Sequence, residues 1–453
     1  MRTTKTPELP PIDHEPRPYD GPSFDAVMKL RKKHLTPSLV TFYQQPIMIV
    51  EGVMQYVYDQ TGKRYLDCLG GIATVGVGHC HPDVIDATRL QLETLQHATT
   101  IYLHPTIGEY AKMLTDRMPE ELDTCYILNS GSEANDLAVM MARVYTGNYD
   151  IIALRNGYHG GVATAMSLTA HSTWKYNTPQ SFGIHHARVP DRYRGPFGYD
   201  DPDAGEKYAA DVKELIDYAS PGRIAGYLAE SMQGVGGVVT YPHDYLSRVY
   251  EYVREAGGVC IADEVQTGFG RTGEHFWGFE GHGVVPDIVT MAKSMGNGAP
   301  IAAVVTTSKI AKALTDRIHF NTFGGNPVSC ACAKAVLEVM EREDLQTNAR
   351  EVGKLLLEGF RGLSERHPLI GDVRGSGLMI GVELVRDRET KEHASEETAA
   401  LMERAKEAGL LIGKGGLRGN VIRIKPPLCL TAADVDFVLD VMDVVLGELE
   451  AER

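Results

Sequence analysis

Residues 257–298 read GGVCIADEVQTGFGRTGEHFWGFEGHGVVPDIVTMAKSMGNG, and two short apolar runs inside them decide the fold. Gly257–Ala262 leads into Asp263-Glu264, and Ile288–Ala292 leads into Lys293. Such runs, rich in β-branched residues and without polar alternation, suit strands buried on both faces of a parallel sheet. The pattern recurs outward along the chain. Cys125–Leu128 leads into Asn129-Ser130-Gly131-Ser132, Asp150–Leu154 into Arg155-Asn156-Gly157-Tyr158-His159-Gly160, and Ile224–Ala229 into Glu230, while Ile301–Thr306 follows the Lys293 segment. Longer amphipathic stretches separate the runs, so the region from about 100 to 330 reads as βαβ units, an α/β fold with a mostly parallel sheet. Ligands of such sheets sit outside the carboxyl ends of the strands. Residues 129–132, 156–159, 230, 263 and 293 are therefore predicted to converge on one crevice.

The flanks read differently. Residues 1–20 are Pro-rich and polar, a loose arm. Ile47–Asp67 alternates apolar with polar residues, and Gln60-Thr61-Gly62 marks a turn between hairpin strands. Beyond residue 330, helical stretches (Ala331–Arg342, Ala349–His367, Glu396–Ala408 and Ala432–Leu449) mix with strand-like pieces (Gly371–Leu384, Leu410–Ile412 and Val421–Ile424). The expected organisation is an N-terminal arm and part of a small domain over 1–66, a large domain over 67–330, and a smaller α+β domain over 331–453.

Composition narrows the function. Among 453 residues, 45 Lys plus Arg against 60 Asp plus Glu give a net charge of −15, which argues against nucleic acid or an anionic membrane as the main partner. No apolar run approaches the roughly 20 residues that span a bilayer. Seven scattered cysteines, an odd number, do not suggest a disulfide framework but a reducing compartment. The first residues lack an apolar core and carry Glu8, Asp13 and Glu15, so a cytoplasmic location is expected.

Several clusters could carry chemistry. Ser130-Gly131-Ser132-Glu133-Ala134-Asn135 follows a strand and opens a helix; its free N–H groups suit an anion, although alone it is equally a plain N-cap. It is neither a Walker loop nor a GxGxxG. Asp263 at a buried strand end needs a partner, either Arg271, a backbone donor, or the cationic ring nitrogen of a bound cofactor. Lys293 ends the next run, where lost hydration would depress its pKa and expose a nucleophilic amine. Tyr158, among glycines, could stack on a planar ligand or simply pack on its loop. His79 with His81, and Cys330 with Cys332, lack a second pair at finger-like spacing, so no metal site is expected. Arg423, in Arg-Ile-Lys-Pro-Pro, could hold a carboxylate in two-pronged fashion or pair at the surface.

Together these pieces resemble the class III aminotransferases, pyridoxal-phosphate (PLP) enzymes of fold type I. SGSEAN (130–135), GYHG (157–160), ADEVQTGFGRTG (262–273), AKSMGNG (292–298), TFGGNP (322–327) and RIKPPL (423–428) occur in the family's order, and the resemblance runs from about Val40 to the last helix. Within the family, Leu66–Pro82, Gly258–Gly273 and Phe276–Gly278 look most like the alanine–glyoxylate branch. The resemblance implies roles. Lys293 would form the Schiff base with PLP and shuttle the proton between substrate Cα and cofactor C4′. Asp263 would pair with the pyridine nitrogen, Gly131 and Ser132 would cradle the phosphate, and Tyr158 would stack on the ring. His159 falls among the cofactor contacts, and Gln266 would sit near the phenolic oxygen. Thr322 would reach the phosphate of a neighbouring subunit, implying a homodimer or dimer of dimers with shared sites. Arg423 would hold the substrate α-carboxylate, with Glu230 gating it. Ser231 and Ser294 stand where the family often has Pro and Gly. The implied reaction carries an amino group from alanine, or a β- or ω-amino acid, to glyoxylate or pyruvate by ping-pong half-reactions. An aminomutase or decarboxylating transaminase is the alternative on this fold, and a nicotinamide-dependent oxidoreductase a remote one, disfavoured because no GxGxxG follows the first strands.

Overall fold

The strands form where the apolar runs predict them, because both faces of the central sheet are covered. The computed structural model describes residues 7–453, so residues 1–6 of the expected arm lie outside the described residues. Three strands come first, β1 (Ile49–Val53), β2 (Tyr56–Asp59) and β3 (Arg64–Asp67). The turn between β2 and β3 is set by Asp59, whose Oδ1 accepts the N–H groups of Thr61 at 2.8 Å and Lys63 at 3.1 Å. The central sheet follows with β4 (Thr124–Leu128), β5 (Ile151–Leu154), β6 (Ile184–Ala187), β7 (Gly226–Glu230), β8 (Val259–Asp263), β9 (Ile288–Met291) and β10 (Ala302–Thr306), in spatial order β4-β10-β9-β8-β7-β5-β6. Every neighbouring pair from β9 to β6 is parallel, while β10 runs antiparallel to both β4 and β9.

Alternate residues of each strand feed different cores. In β8, Cys260 and Ala262 pack into one cluster, and Val259 and Ile261 into the other. Burying such side chains contributes about 1.5–3 kcal/mol each, so an uninterrupted apolar run is what this position selects. The edge strand β6, with two half-buried histidines in Ile-His-His-Ala, has a neighbour on one side alone and escapes the apolar rule; the sequence pattern did not anticipate it.

The C-terminal third supplies β11 (Ile370–Ser376), β12 (Met379–Asp387), β13 (Glu392–His393), β14 (Leu410–Leu411), β15 (Gly413–Gly415) and β16 (Val421–Ile424). β11, β12, β16 and β15 form one sheet in that order, with β13 on β12. β14 pairs in parallel with β3, tying residues 49–67 to the C-terminal segment. The helix anticipated over Ala331–Arg342 starts earlier, at Pro327, because the Asn326 side chain caps it by accepting the N–H groups of Val328 and Ser329.

Candidate active site

β7, β8 and β9 end side by side, and their register aligns Glu230 with Asp263 and Asp263 with Thr290. Asp263, Glu230 and Lys293 thereby line one cavity of about 320 Å³, with Ser130, Gly131, Ser132, Asn135, Tyr158, His159 and Gln266. The predicted crevice is therefore a single space, reached from five separate loops.

Asp263 is 3% exposed. Its Oδ2 accepts hydrogen bonds from His159 Nδ1 and Asn135 Nδ2, both at 2.8 Å, and its Oδ1 accepts the Val265 N–H at 3.1 Å. Burial would raise its pKa, but these donors, led by His159, hold it below the ordinary aspartate value. Asn135 is itself fixed by Thr290, whose hydroxyl donates to its Oδ1 at 2.7 Å. His159, expected among the cofactor contacts, lines the cavity but spends its Nδ1 on Asp263.

Lys293 follows β9 on a short 3-10 turn, at φ 50, a left-handed conformation that costs a non-glycine residue about 1–3 kcal/mol. Its ammonium makes no hydrogen bond or ion pair among the described residues. Burial pushes its pKa below the usual lysine value, with Asp263 and Glu230 opposing and Arg423 reinforcing.

The helix Gly131–Thr146 opens at the cavity. Ser130 caps it: its hydroxyl accepts the Glu133 N–H at 3.3 Å, and Glu133 Oε2 accepts the Ser130 N–H at 3.1 Å. The N–H groups of Gly131 and Ser132 have no partner among the described residues, so the cap leaves both free to meet an anion. Gly160 lies close beside them at φ +128, where a Cβ would lie 2.4 Å from the Ser132 hydroxyl. Tyr158 lies edge-on to Trp174, ring centroids 5.2 Å apart.

Arg423 is buried on β16 but does not line this cavity; Nε donates to the Lys414 carbonyl at 2.9 Å and Nη1 to the Gly234 carbonyl at 3.4 Å. Burial lowers its pKa to about 10. It forms no ion pair with Glu230. The backbone of Gly234 meets both instead, since Glu230 Oε2 accepts the Gly234 N–H at 2.6 Å while Arg423 donates to its carbonyl. Glu230 is pushed above the ordinary glutamate value by burial, and by Asp263 against the opposing His159. Thr322 is exposed and outside this chain's own cavity. The two departures from the family pattern have local uses. The Ser231 hydroxyl donates to the buried Glu264, and that of Ser294 to the Ala73 carbonyl at 3.1 Å, away from Lys293. His79 and His81 go to separate carboxylates, Asp67 and Glu343.

Two contributors escaped the sequence reading. Asn135 stands in the SGSEAN motif, one helical turn after Ser132, and was given no task. Lys425, whose ammonium donates to the cavity-lining Gln266 at 2.7 Å, lies two residues beyond Arg423, a spacing that returns a side chain to the same face of an extended chain.

This geometry and the sequence define a class. The chain belongs to the class III aminotransferases: the model of that family matches residues 41–446. Among curated relatives, the mitochondrial alanine–glyoxylate aminotransferase 2 homolog 2 of Arabidopsis thaliana is 53% identical over 441 residues, covering 97% of this chain and 91% of the relative. The mitochondrial alanine–glyoxylate aminotransferase 2 of Homo sapiens is 44% identical, covering 96% and 88%. Among solved structures, a phospholyase from Arthrobacter in complex with phosphoethanolamine superposes with a TM-score of 0.88 at 35% identity, over 93% of this chain and 99% of that one. An amine transaminase from an uncultivated Pseudomonas species, solved in its PLP-bound form, gives 0.85 at 33%, over 92% and 98%. The expectation of a cytoplasmic location is overturned by the mitochondrial names of these curated relatives; a cysteine count and three acidic residues among the first fifteen do not report a compartment.

Proposed function

We propose that the protein moves an amino group from alanine, or from a β- or ω-amino acid, to glyoxylate or pyruvate with PLP as cofactor. One observation carries the reading: an ionised buried carboxylate, Asp263, and an unpartnered amine, Lys293, line the same cavity beside a helix N-terminus. The names of the curated relatives favour alanine and glyoxylate as the pair.

The residues present fit PLP. The Gly131 and Ser132 N–H groups and the Gly160 cradle suit its phosphate, Asp263 suits a protonated ring nitrogen, Tyr158 a ring face, and the free Lys293 amine its aldehyde carbon. When bound, PLP supplies an electron-accepting ring that makes loss of the substrate Cα proton possible. The protein's own part is to position and to move protons. Lys293, whose pKa burial lowers, takes and returns the proton at substrate Cα. Asp263 stays ionised and so keeps the ring nitrogen protonated. Gln266 donates toward the phenolic oxygen. Arg423 keeps Nη2 for the substrate α-carboxylate, and because Glu230 does not pair with it, α-amino donors are favoured.

Residues 67–330 would form the cofactor-binding domain, with 1–66 and 331–453 the arm and smaller domain; the pairing of β14 with β3 supports that grouping. The site would be completed by a second copy, whose Thr322 reaches the phosphate. Support comes from the large exposed apolar side chains of Ile101, Tyr102, Leu103, Ile318, Phe320 and Phe323.

The test is a donor and acceptor survey on the PLP-loaded protein. Glyoxylate or pyruvate must be required, alanine must serve as donor, and Lys293→Ala must lose at least about a thousandfold in turnover, as loss of a nucleophile does. Repeated turnover without any oxo acid, beyond the single equivalent the cofactor can take up, or normal turnover by Lys293→Ala, would contradict the proposal.

A further inference from the structure

Lys425 has no task in the reaction as described, yet it is one of the largest side chains with 0% exposure. Its backbone leaves β16 by donating to the Cys68 carbonyl at 2.8 Å, so its place is fixed by the main chain. Its ammonium makes one hydrogen bond, donating to Gln266 Oε1 at 2.7 Å, and no ion pair among the described residues. Burying a lysine without a carboxylate is costly. The charged groups facing it are Arg423, Glu230, Lys293 and Arg271, three cations and one carboxylate; burial and the cations depress its pKa, with Glu230 opposing. This is an expensive arrangement for a residue that merely fills space.

Gln266 lines the cavity, and Gly234 lies flat against its carboxamide: a Cβ there would sit 2.5 Å from each of Cδ, Oε1 and Nε2. A primary amide can rotate by half a turn and exchange a donor for an acceptor at nearly the same place. With its plane fixed by Gly234, what remains to be decided is which end faces the cavity. We infer that Lys425 is a positioning residue that decides it: by donating to Oε1 it turns Nε2, which has no other partner among the described residues, into the donor presented to an anionic oxygen on the cofactor ring. Without Lys425 the amide is free to present its carbonyl, which repels that oxygen.

The inference rests on the PLP reading, and the test separates the two. The visible absorption band of the PLP-loaded protein is followed against pH, and PLP affinity is measured by titrating the cofactor-free protein. A donor to the ring oxygen stabilises the form with more negative charge there, the one that prevails at higher pH. Losing the donor therefore moves the spectral midpoint upward. Lys425→Met keeps the length of the side chain without a donor. It is expected to raise the midpoint by about one pH unit and to weaken PLP about tenfold, the scale of one hydrogen bond to a charged group. Gln266→Leu is expected to do the same and carries the test if Lys425→Met does not fold. The double variant must show no further shift, since Lys425 acts through Gln266. An unchanged midpoint in either single variant overturns the inference. So does an undiminished Lys425→Met shift in the Gln266→Leu background, which would make Lys425 a bare charge rather than an orienting donor. A wild-type protein that takes up PLP with no pH-dependent band overturns the PLP reading, and the inference with it.

Discussion

Asp263 and Lys293 meet the same hardship, loss of water, in opposite ways, and the proposed division of work rests on that. The carboxylate is compensated by His159, Asn135 and the Val265 N–H and stays charged; the amine is left without a partner and gives up its proton more readily. The sign of the pH effect follows. A carboxylate with a depressed pKa contributes stability that is fully present above its unfolded value, 3.8, and is lost as pH falls through the lower folded value. Asp263→Asn is expected to flatten that acid limb in unfolding titrations of the cofactor-free protein. It should also weaken PLP by roughly tenfold to a hundredfold, the worth of one charge-assisted hydrogen bond. Unchanged PLP affinity would remove Asp263 from the cofactor. These two residues were legible in the sequence because each ends an apolar run. Asn135 and Lys425 were not, because their partners, Asp263 and Gln266, are distant along the chain and meet them through folding alone.

At the scale of elements, the strands of the central sheet were legible because burial on both faces forces the apolar run, whereas β6 was hidden by its edge position. The helix Gly131–Thr146 could be read as capped or as an anion site from SGSEAN, but the sequence could not tell that Gly160, from another loop, seals the same cradle. That closure makes a test. Gly160→Ala forces a side chain into φ +128 and into the Ser132 hydroxyl, so it should cost about 1–3 kcal/mol in urea unfolding and weaken PLP at least about tenfold. A variant with wild-type stability and affinity would show that the cradle does not hold the phosphate.

For the whole molecule, the apolar surface is uneven. Leu103 and Ile318 are 105% and 95% exposed, and the two segments they belong to are joined where Asn326 meets His97 at 3.0 Å and His97 lies against Phe323 at 5.8 Å. Exposed apolar side chains gathered on neighbouring segments are what the proposed subunit interface would cover. Sedimentation is expected to show a dimer that the pair Leu103→Asp and Phe323→Asp dissociates. Thr322→Ala should weaken PLP several-fold although Thr322 lies outside its own chain's cavity. A monomeric wild type with full PLP affinity would refute the shared site. Which surface a partner would cover was beyond reach in the sequence, because exposed apolar residues carry no periodicity that distinguishes an interface from a loop.

The most direct test of the central claim is a single half-reaction. The PLP-loaded protein is mixed with L-alanine in the absence of any oxo acid, and pyruvate is counted per protomer. The account predicts one equivalent, a second only after glyoxylate is added, and none from Lys293→Ala. Pyruvate that keeps accumulating without an acceptor, or that forms equally without the Lys293 amine, would contradict it.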